Sequence, residues 1–254
     1  MKKFLKTPGG IIGIDEAGRG ALAGPVVAAA VWLSDEFYRK ASRLKDLNLI
    51  NDSKQLNPEK RNEVSHIIEK WAQQGLIKFH SASASVKEIN DHNILGATRL
   101  AMQRGLDSLM PTMPEPFRVP KSSGLPLWDN LNTENADTQA KILVDGLPLT
   151  PFDYNHHAII EGDSHSLAIA TASIIAKVTR DRLMCVLNKQ YPAYGFDEHK
   201  GYGTESHREA IIKQGPAEIH RTLFLRKILN LTQTQDPSLP TPPICEAQCL
   251  LPEP

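Results

Sequence analysis

Long apolar runs, paired cysteines and a net charge are all missing from this 254-residue sequence, and each absence excludes a class of protein. Three cysteines cannot form the even disulfide framework of a small secreted fold. The apolar stretch from Ala21 to Leu33 has 13 residues and contains Pro25, so it is too short to cross a bilayer. The N-terminal stretch is broken at Thr7-Pro8 before a secretory apolar region develops. We therefore expect a protein of the reducing cytoplasm that has no membrane segment.

Charge is balanced overall but unevenly distributed. Lys plus Arg and Asp plus Glu number 29 each. Residues 174–230 hold ten Lys and Arg against six Asp and Glu, whereas residues 231–254 hold three acids and no base. A neutral total can thus hide a basic working face and an acidic tail.

The pattern of apolar and turn-forming residues predicts an α/β fold. Strands are predicted over residues 9–16, 25–33, 76–83, 141–145 and 157–161, and helices over 57–74, 87–109 and 167–187. Asn57-Pro58 is a typical helix start, with an Asn cap and Pro in the first turn. Three strands with hairpin-like links, followed by strands that alternate with helices, predict a mixed sheet flanked by helices.

Two segments interrupt this pattern. Residues 110–140 contain five prolines and a polar run without periodicity, which predicts a mobile inserted loop. Residues 231–254 contain six prolines, which predicts a disordered tail.

Four acids lie at the ends of predicted elements: Asp15, Glu16, Asp145 and Asp163. Strands that meet in one sheet would bring such carboxylates together, and close like charges are unfavourable unless a cation lies between them. Oxygen ligands suit Mg²⁺ and Mn²⁺, and paired ions assist phosphodiester hydrolysis. The alternative is that these acids only form turns, since Asp-Gly and Gly-Asp-Ser are common turn sequences.

The segment Gly18-Arg19-Gly20 indicates contact with a polyanion. Glycines let a backbone approach closely while a guanidinium reaches the same ligand. A dinucleotide-binding loop is excluded, because Gly18 and Gly20 lead to Gly24-Pro25 and a strand rather than to a helix. No phosphate-binding loop of the GxxxxGK[ST] type is present.

Several stretches together closely resemble type 2 ribonuclease H, also called ribonuclease HII. The resemblance is collinear from about Gly10 to Leu229. It rests on Gly13 to Gly20, Asn51 to Leu56, Ile94-Leu95 with Ala97-Thr98, Val144-Asp145-Gly146, Gly162-Asp163-Ser164, Ala172 to Asp181, Tyr194-Gly195-Phe196 and His199 to Tyr202.

This resemblance implies a ribonuclease H-like fold with a small C-terminal helical region. It implies two-metal hydrolysis, with Mg²⁺ or Mn²⁺, of the RNA strand in RNA–DNA hybrids and of ribonucleotides embedded in duplex DNA, leaving 3′-hydroxyl and 5′-phosphate ends. The implied metal-binding and catalytic residues are Asp15, Glu16, Asp145 and Asp163, and the implied substrate-binding residues are Gly18, Arg19, Gly20, Ser53, Lys54, Lys177 and Tyr202. Gly18 to Gly20 would contact the 2′-hydroxyl, and Tyr202 would stack on the adjoining deoxyribose.

On this basis the chain divides into three parts. Residues 1–190 would form the catalytic domain, 191–230 a helical substrate-binding region and 231–254 the tail, in a protein that works as a monomer. The long loop at 110–140, the tail and Leu223, where the family tends to have Ser, depart from the family pattern.

Some assignments keep an alternative. Asp181 is a second candidate for the fourth carboxylate, and it could instead pair with Lys177, which lies four residues away on the same helix face. His199, His207 and His220 are assigned polar surface roles, with protonation or phosphate contact as the alternative for His199 and His220. A DNA-junction nuclease on the same fold and an inactive hybrid-binding protein are the competing functions, although Tyr202 disfavours the first and the complete set of acids disfavours the second.

Overall fold

The computed structural model describes residues 8–44, 46–50, 56–122, 138–226 and 228–229. The predictions made for Ser53, Lys54 and the tail at 231–254 lie outside these residues. Within them, no helix combines the length and the apolar character that a membrane span requires.

Five strands form a single mixed sheet with the order β3-β2-β1-β4-β5. The strands are β1 (Ile11–Ala17), β2 (Val26–Leu33), β3 (Ile77–Ala84), β4 (Lys141–Asp145) and β5 (His157–Ile159). β2 is antiparallel to β1 and β3, whereas β4 is parallel to β1 and β5. This confirms the predicted mixed sheet.

Helices and short turns of helix connect and cover the strands. The α-helices are α1 (Asp35–Lys40), α2 (Leu47–Ile50), α3 (Pro58–Gln73), α4 (Val86–Leu109), α5 (Gly162–His165), α6 (Leu167–Gln190), α7 (Phe196–His199), α8 (Glu205–Gln214) and α9 (Thr222–Leu225). Short 3₁₀ helices span Ala41–Arg43, Met110–Thr112, Glu115–Phe117 and Pro192–Tyr194. The predicted start of α3 is confirmed, since the Asn57 side chain accepts a hydrogen bond from the Lys60 N–H.

Successive side chains of the central strands alternate between the two faces of the sheet and so divide the core into two layers. Ile12 and Ile14 of β1 belong to the apolar cluster that includes α4, whereas Ile11 and Ala17 belong to the cluster that includes α3 and α6. Successive strand residues point to opposite faces, so Asp15 lies on the α6 side. The sheet is therefore a central layer between helices.

The close approach of α6 to β1 depends on Gly13. A Cβ atom at Gly13 would lie 2.1 Å from the carbonyl carbon of Ala168 and 2.3 Å from the nitrogen of Ile169, both in the α6 backbone. The buried face of α6 also has small side chains such as Ala172 and Ala176. Helix and strand are thus in backbone contact at the place where β1 leads to Asp15.

The first part of the segment predicted as a mobile loop is instead packed on the core. Met113 is buried, and the ring of Phe117 lies 6.0 Å from that of Trp32. The Ala140 N–H donates to the Phe117 carbonyl over 3.0 Å, which ties this part to the start of β4. Prolines ended the regular periodicity here without preventing burial; residues 123–137 lie outside the described part.

The prediction that three histidines have surface roles is wrong, because His199, His207 and His220 are all buried. The His207 ring stacks on the His199 ring at 4.3 Å, and its Nε2 lies 3.1 Å from Nε2 of His220. Its Nδ1 lies 2.9 Å from the carbonyl oxygen of Tyr202. A neutral imidazole whose nitrogens have partners packs as a core residue, and this histidine cluster supports the turn that carries Tyr202.

We expect Gly13→Ala to lower the free energy of unfolding by about 1–3 kcal/mol or more, because the new methyl group must push α6 away from β1. Urea unfolding would measure the loss. Gly20→Ala is the matched control for stability, since a Cβ there meets no atom within 4 Å. Equal stability of the two variants would contradict the close packing of α6.

The histidine cluster should make the protein sensitive to acid. Burial is the main cause that lowers the pKa of His207 and of His220 from 6.5 to about 4. Unfolded chains therefore bind protons between pH 6.5 and 4 that the folded protein does not. We expect the contribution of these two imidazoles to the free energy of unfolding to be fully present above pH 6.5. It should decrease toward pH 4, by up to about 1.4 kcal/mol per pH unit for each imidazole.

Urea unfolding of the wild type and of His207→Gln between pH 7.5 and 4.5 would test this. The difference between the two curves isolates His207 from the carboxylates that titrate in the same range. The variant should show the shallower dependence on pH, and identical slopes would contradict the prediction.

Candidate active site

Two of the predicted acids meet because β1 and β4 are parallel neighbours. Ile14 pairs with Val144 in the register of the two strands, so Asp15 and Asp145 follow at the same edge and on the same face. The Asp145 Oδ1 accepts a hydrogen bond from the Gly162 N–H over 2.6 Å. This bond holds the start of α5 against β4.

Asp15 has an unfavourable electrostatic environment. Its side chain is buried, and burial is the largest of the effects that raise its pKa well above the ordinary value. The charges of Glu16 and Asp145 raise the pKa further, and hydrogen bonds from the Glu16 N–H, at 2.7 Å, and the Ser173 hydroxyl oppose the rise. A carboxylate in such surroundings is stabilised by a nearby cation.

Glu16 lies beside Asp15 and is bonded to Arg19 of the Gly18-Arg19-Gly20 segment, which we call the glycine-rich turn. The Arg19 Nη1 lies 2.9 Å from the Glu16 Oε1. Burial raises the pKa of Glu16, and the bond and charge of Arg19 oppose this rise. The Arg19 side chain is half exposed, so this turn places a cation at the rim of the acidic site.

Asp163 is the fourth predicted acid, and it is buried in α5 immediately after Gly162. The bond between Gly162 and Asp145 therefore brings Asp163 to the same end of the sheet. In the described part of the chain, no three Asp, Glu, His or Cys side chains converge closely enough to enclose an ion. The donor set nevertheless fits Mg²⁺ or Mn²⁺, because it is made of oxygens and because Glu16 and Asp145 repel the charge of Asp15 in the absence of a cation.

An open cleft of about 230 Å³ lies next to these acids. It is lined by Glu16, Ala17, Gly18, Arg61, Ser173, Ile174, Lys177 and Tyr202. The predicted substrate-binding residues Gly18, Lys177 and Tyr202 are thus brought together. The Lys177 Nζ lies 5.2 Å from the centre of the Tyr202 ring, within the range of a cation–π interaction.

Asp181 contacts cations. Its carboxylate lies 2.6 Å from the Lys177 Nζ and 3.5 Å from the Arg61 Nη1. The predicted pair of Lys177 with Asp181 is therefore present. Arg61 was not predicted, although its position in the first turn of α3, soon after Ser53 and Lys54, is a signal that could have found it.

The two glycines of the predicted substrate turn differ in what surrounds them. Gly18 has a φ of +93°, and a Cβ there would lie 1.9 Å from the Arg180 Nε, so the fold itself requires glycine. Gly20 has an ordinary φ, and a Cβ there would meet no atom within 4 Å. The surface at Gly20 is therefore open to a ligand.

Sequence reasoning assigned no role to Arg180 or Arg221, which are both fully buried. The Arg221 Nη1 donates to the Arg19 carbonyl over 2.9 Å, and the Arg180 Nη1 donates to the Lys200 carbonyl over 2.8 Å. Arginine usually lies at the surface, and the partners are far away in the chain, so no local pattern indicated these contacts.

Comparisons with known proteins show the family to which this chain belongs. The family model for ribonuclease HII matches residues 12–227. The ribonuclease HII of Fusobacterium nucleatum is 44% identical over 223 residues, which cover 86% of this chain and 87% of that protein.

Solved structures show the same architecture. The crystal structure of ribonuclease H2 from Pyrococcus horikoshii aligns with a TM-score of 0.58 at 25% identity, over 87% of this chain and 97% of that one. Bst-RNase HIII in complex with Mn²⁺ aligns with a TM-score of 0.60 at 17% identity, over 91% and 72% of the two chains, which shows the fold alone. The predicted ribonuclease H-like fold is confirmed, and the chain belongs to the ribonuclease HII family of endoribonucleases.

Proposed function

We propose that this endoribonuclease hydrolyses the RNA strand of RNA–DNA hybrids and ribonucleotides embedded in duplex DNA, and leaves 3′-hydroxyl and 5′-phosphate ends. The observation that carries the proposal is the meeting of Asp15 and Asp145 at one edge of the sheet, where the charge of Asp145 contributes to the raised pKa of Asp15. We also propose that it works as a monomer in the cytoplasm; the small number of cysteines supports a reducing compartment.

Four carboxylates would hold divalent ions: Asp15, Glu16, Asp145 and Asp163. When held by these residues, Mg²⁺ or Mn²⁺ would activate water for attack and offset the negative charge that develops during hydrolysis. The likeness to Bst-RNase HIII, whose structure contains Mn²⁺, supports this choice of ions. Within the protein, the Gly162 N–H donates to Asp145 and the Glu16 N–H donates to Asp15, which orients these carboxylates, and Arg19 opposes the rise that burial causes in the pKa of Glu16.

The cleft beside the acids has the groups needed to recognise a ribose. Gly18 to Gly20 would contact the 2′-hydroxyl, which is the group that distinguishes RNA from DNA. Open space at Gly20 supports a close backbone approach. Tyr202 would stack on the neighbouring deoxyribose, and Lys177, with Ser53 and Lys54, would contact phosphates.

A cleavage assay distinguishes this function from its alternatives. Matched RNA–DNA, RNA–RNA and DNA–DNA duplexes, a branched DNA junction and a DNA duplex with one ribonucleotide are incubated with Mg²⁺, Mn²⁺ or EDTA, and the product ends are mapped. The proposal requires metal-dependent cleavage of the hybrid and of the single-ribonucleotide duplex. Cleavage of DNA junctions alone would support the DNA nuclease, and binding without cleavage would support the inactive protein.

We expect Asp15→Asn and Asp145→Asn to abolish nearly all cleavage while hybrid binding persists, because each change removes a metal ligand and also relieves repulsion. Asp163→Asn should lose less activity and recover part of it with Mn²⁺. Single-turnover cleavage and hybrid binding would be measured separately for each variant.

Asp91→Asn, which changes an exposed carboxylate on α4, is the matched control and should keep wild-type activity. Substantial Mg²⁺-dependent cleavage by Asp15→Asn would overturn the metal assignment. Inactivity of Asp181→Asn together with activity of Asp163→Asn would show that Asp181 is the fourth ligand.

Tyr202→Ala should remove a stacking interaction worth about 1–3 kcal/mol. Cleavage of the single-ribonucleotide duplex should decrease the most, because this substrate has only one junction. A long hybrid has many phosphate contacts that do not depend on this ring. Cleavage of both substrates would be compared at fixed salt, with Tyr202→Phe as the control that keeps the ring. An equal loss on the two substrates would mean that Tyr202 only supports its own turn.

A further inference from the structure

Two buried guanidinium groups lie behind the proposed ribose-reading surface. Arg180 of α6 and Arg221 before α9 are fully buried, and neither forms an ion pair in the described part of the chain. Their hydrogen bonds all go to backbone carbonyl oxygens. The Arg221 Nη2 has no hydrogen-bond partner among the described residues. We call Arg180 and Arg221 the guanidinium pair.

The guanidinium pair joins segments that are distant in the sequence. Arg180 donates to the carbonyls of Ala23 at 3.1 Å, Pro25 at 3.0 Å and Lys200 at 2.8 Å. Arg221 donates to the carbonyls of Gly24 and Arg19, both at 2.9 Å. The pair therefore links the turn after β1, the turn after α7 and the segment before α9.

These bonds end on the two turns that would read the substrate. Arg221 holds the carbonyl of Arg19, the central residue of Gly18-Arg19-Gly20. Arg180 holds the carbonyl of Lys200, and its Cζ lies 5.3 Å from the centre of the Tyr202 ring. Both the glycine-rich turn and the turn that carries Tyr202 are thus bonded to buried side chains that do not line the cleft.

Stability alone does not account for such an arrangement. Burial and the neighbouring Arg180 lower the pKa of Arg221 to about 9, so it stays charged at neutral pH without a carboxylate partner. Removing such a charge from water is costly, and apolar replacements of buried charged groups are often neutral or stabilising. The planar guanidinium group of arginine can donate to two carbonyl oxygens at a fixed spacing. Neither the ammonium group of lysine nor an apolar side chain has this rigid geometry.

We propose that Arg180 and Arg221 are positioning residues that fix the spacing between the Gly18–Gly20 turn and Tyr202, and that this spacing sets the preference for a single ribonucleotide in DNA over a long hybrid. The inference rests on the proposed function, because it assumes that both turns contact the substrate. A displacement of about 1 Å in such a pair of contacts can cost on the order of 10²-fold in rate.

The test uses the full-length protein with Arg221→Lys, which keeps the charge, and Arg221→Met, which removes it. Both are assayed well below their melting temperatures on the single-ribonucleotide duplex and the long hybrid. We expect kcat on the single-ribonucleotide duplex to fall by about 10²-fold, and on the long hybrid much less, with little change in KM. Arg226→Lys, an exposed change in the same segment, should behave as wild type.

A second measurement separates positioning from support of the fold. If the guanidinium pair acts through Tyr202, then Arg221→Lys should lower the substrate preference strongly in the wild type and hardly at all in Tyr202→Ala, because the two changes remove the same contact. Additive losses would overturn the proposal. Arg221→Met should also lose the preference even if its melting temperature is unchanged or higher.

The remaining outcomes are equally decisive. Equal losses on the two substrates, full activity of both variants, or failure of both to fold would show that the pair only supports the fold and would overturn the inference. Failure of the proposed function looks different, since the wild type itself would then cleave neither hybrid substrate.

Discussion

Contact between the backbones of α6 and β1 is the constraint on which the rest of the site depends. It exists because Gly13 has no side chain on that face and α6 presents small residues to it. The same helix then carries Ser173 to Asp15, Lys177 to the cleft and Arg180 to the turns beyond the sheet. A side chain at position 13 would hold α6 further from β1, and all three contacts would be lost together.

Acidic and basic side chains lie in different parts of this site. At the edge of the sheet, Asp15 is destabilised by burial and by its acidic neighbours, and this repulsion is what a divalent ion would relieve. Behind the cleft, Arg180 and Arg221 are buried with backbone carbonyls as their partners. Between them, Asp181 balances Lys177 and Arg61. Acids thus face the proposed reaction, while the buried arginines hold the backbone around it.

Backbone hydrogen bonds, together with those of the guanidinium pair, join the C-terminal region to the segment between β1 and β2. The N–H of Leu22 donates to the Gly201 carbonyl at 2.8 Å, and the N–H of Arg221 donates to the Leu22 carbonyl at 2.8 Å. Burial lowers the pKa of His207 and of His220 to about 4, so these two side chains add no charge beside Arg221 at neutral pH. Such a junction holds Tyr202 in a defined place relative to the glycine-rich turn, as recognition of a single sugar would require.

The sequence by itself determined the strands that carry Asp15 and Asp145, the capped start of α3 and the small-residue helix α6, because periodicity, caps and turn residues are local signals. Only the tertiary structure decided that three histidines are buried, that residues 110–122 pack on the core and that Arg221 reaches the carbonyl of Arg19. The contact between His207 and His220 joins residues 13 positions apart in the chain, and the contact between Arg221 and Arg19 joins residues 202 positions apart. A polar side chain has no periodic signature of burial, since its partner appears only when distant segments are brought together.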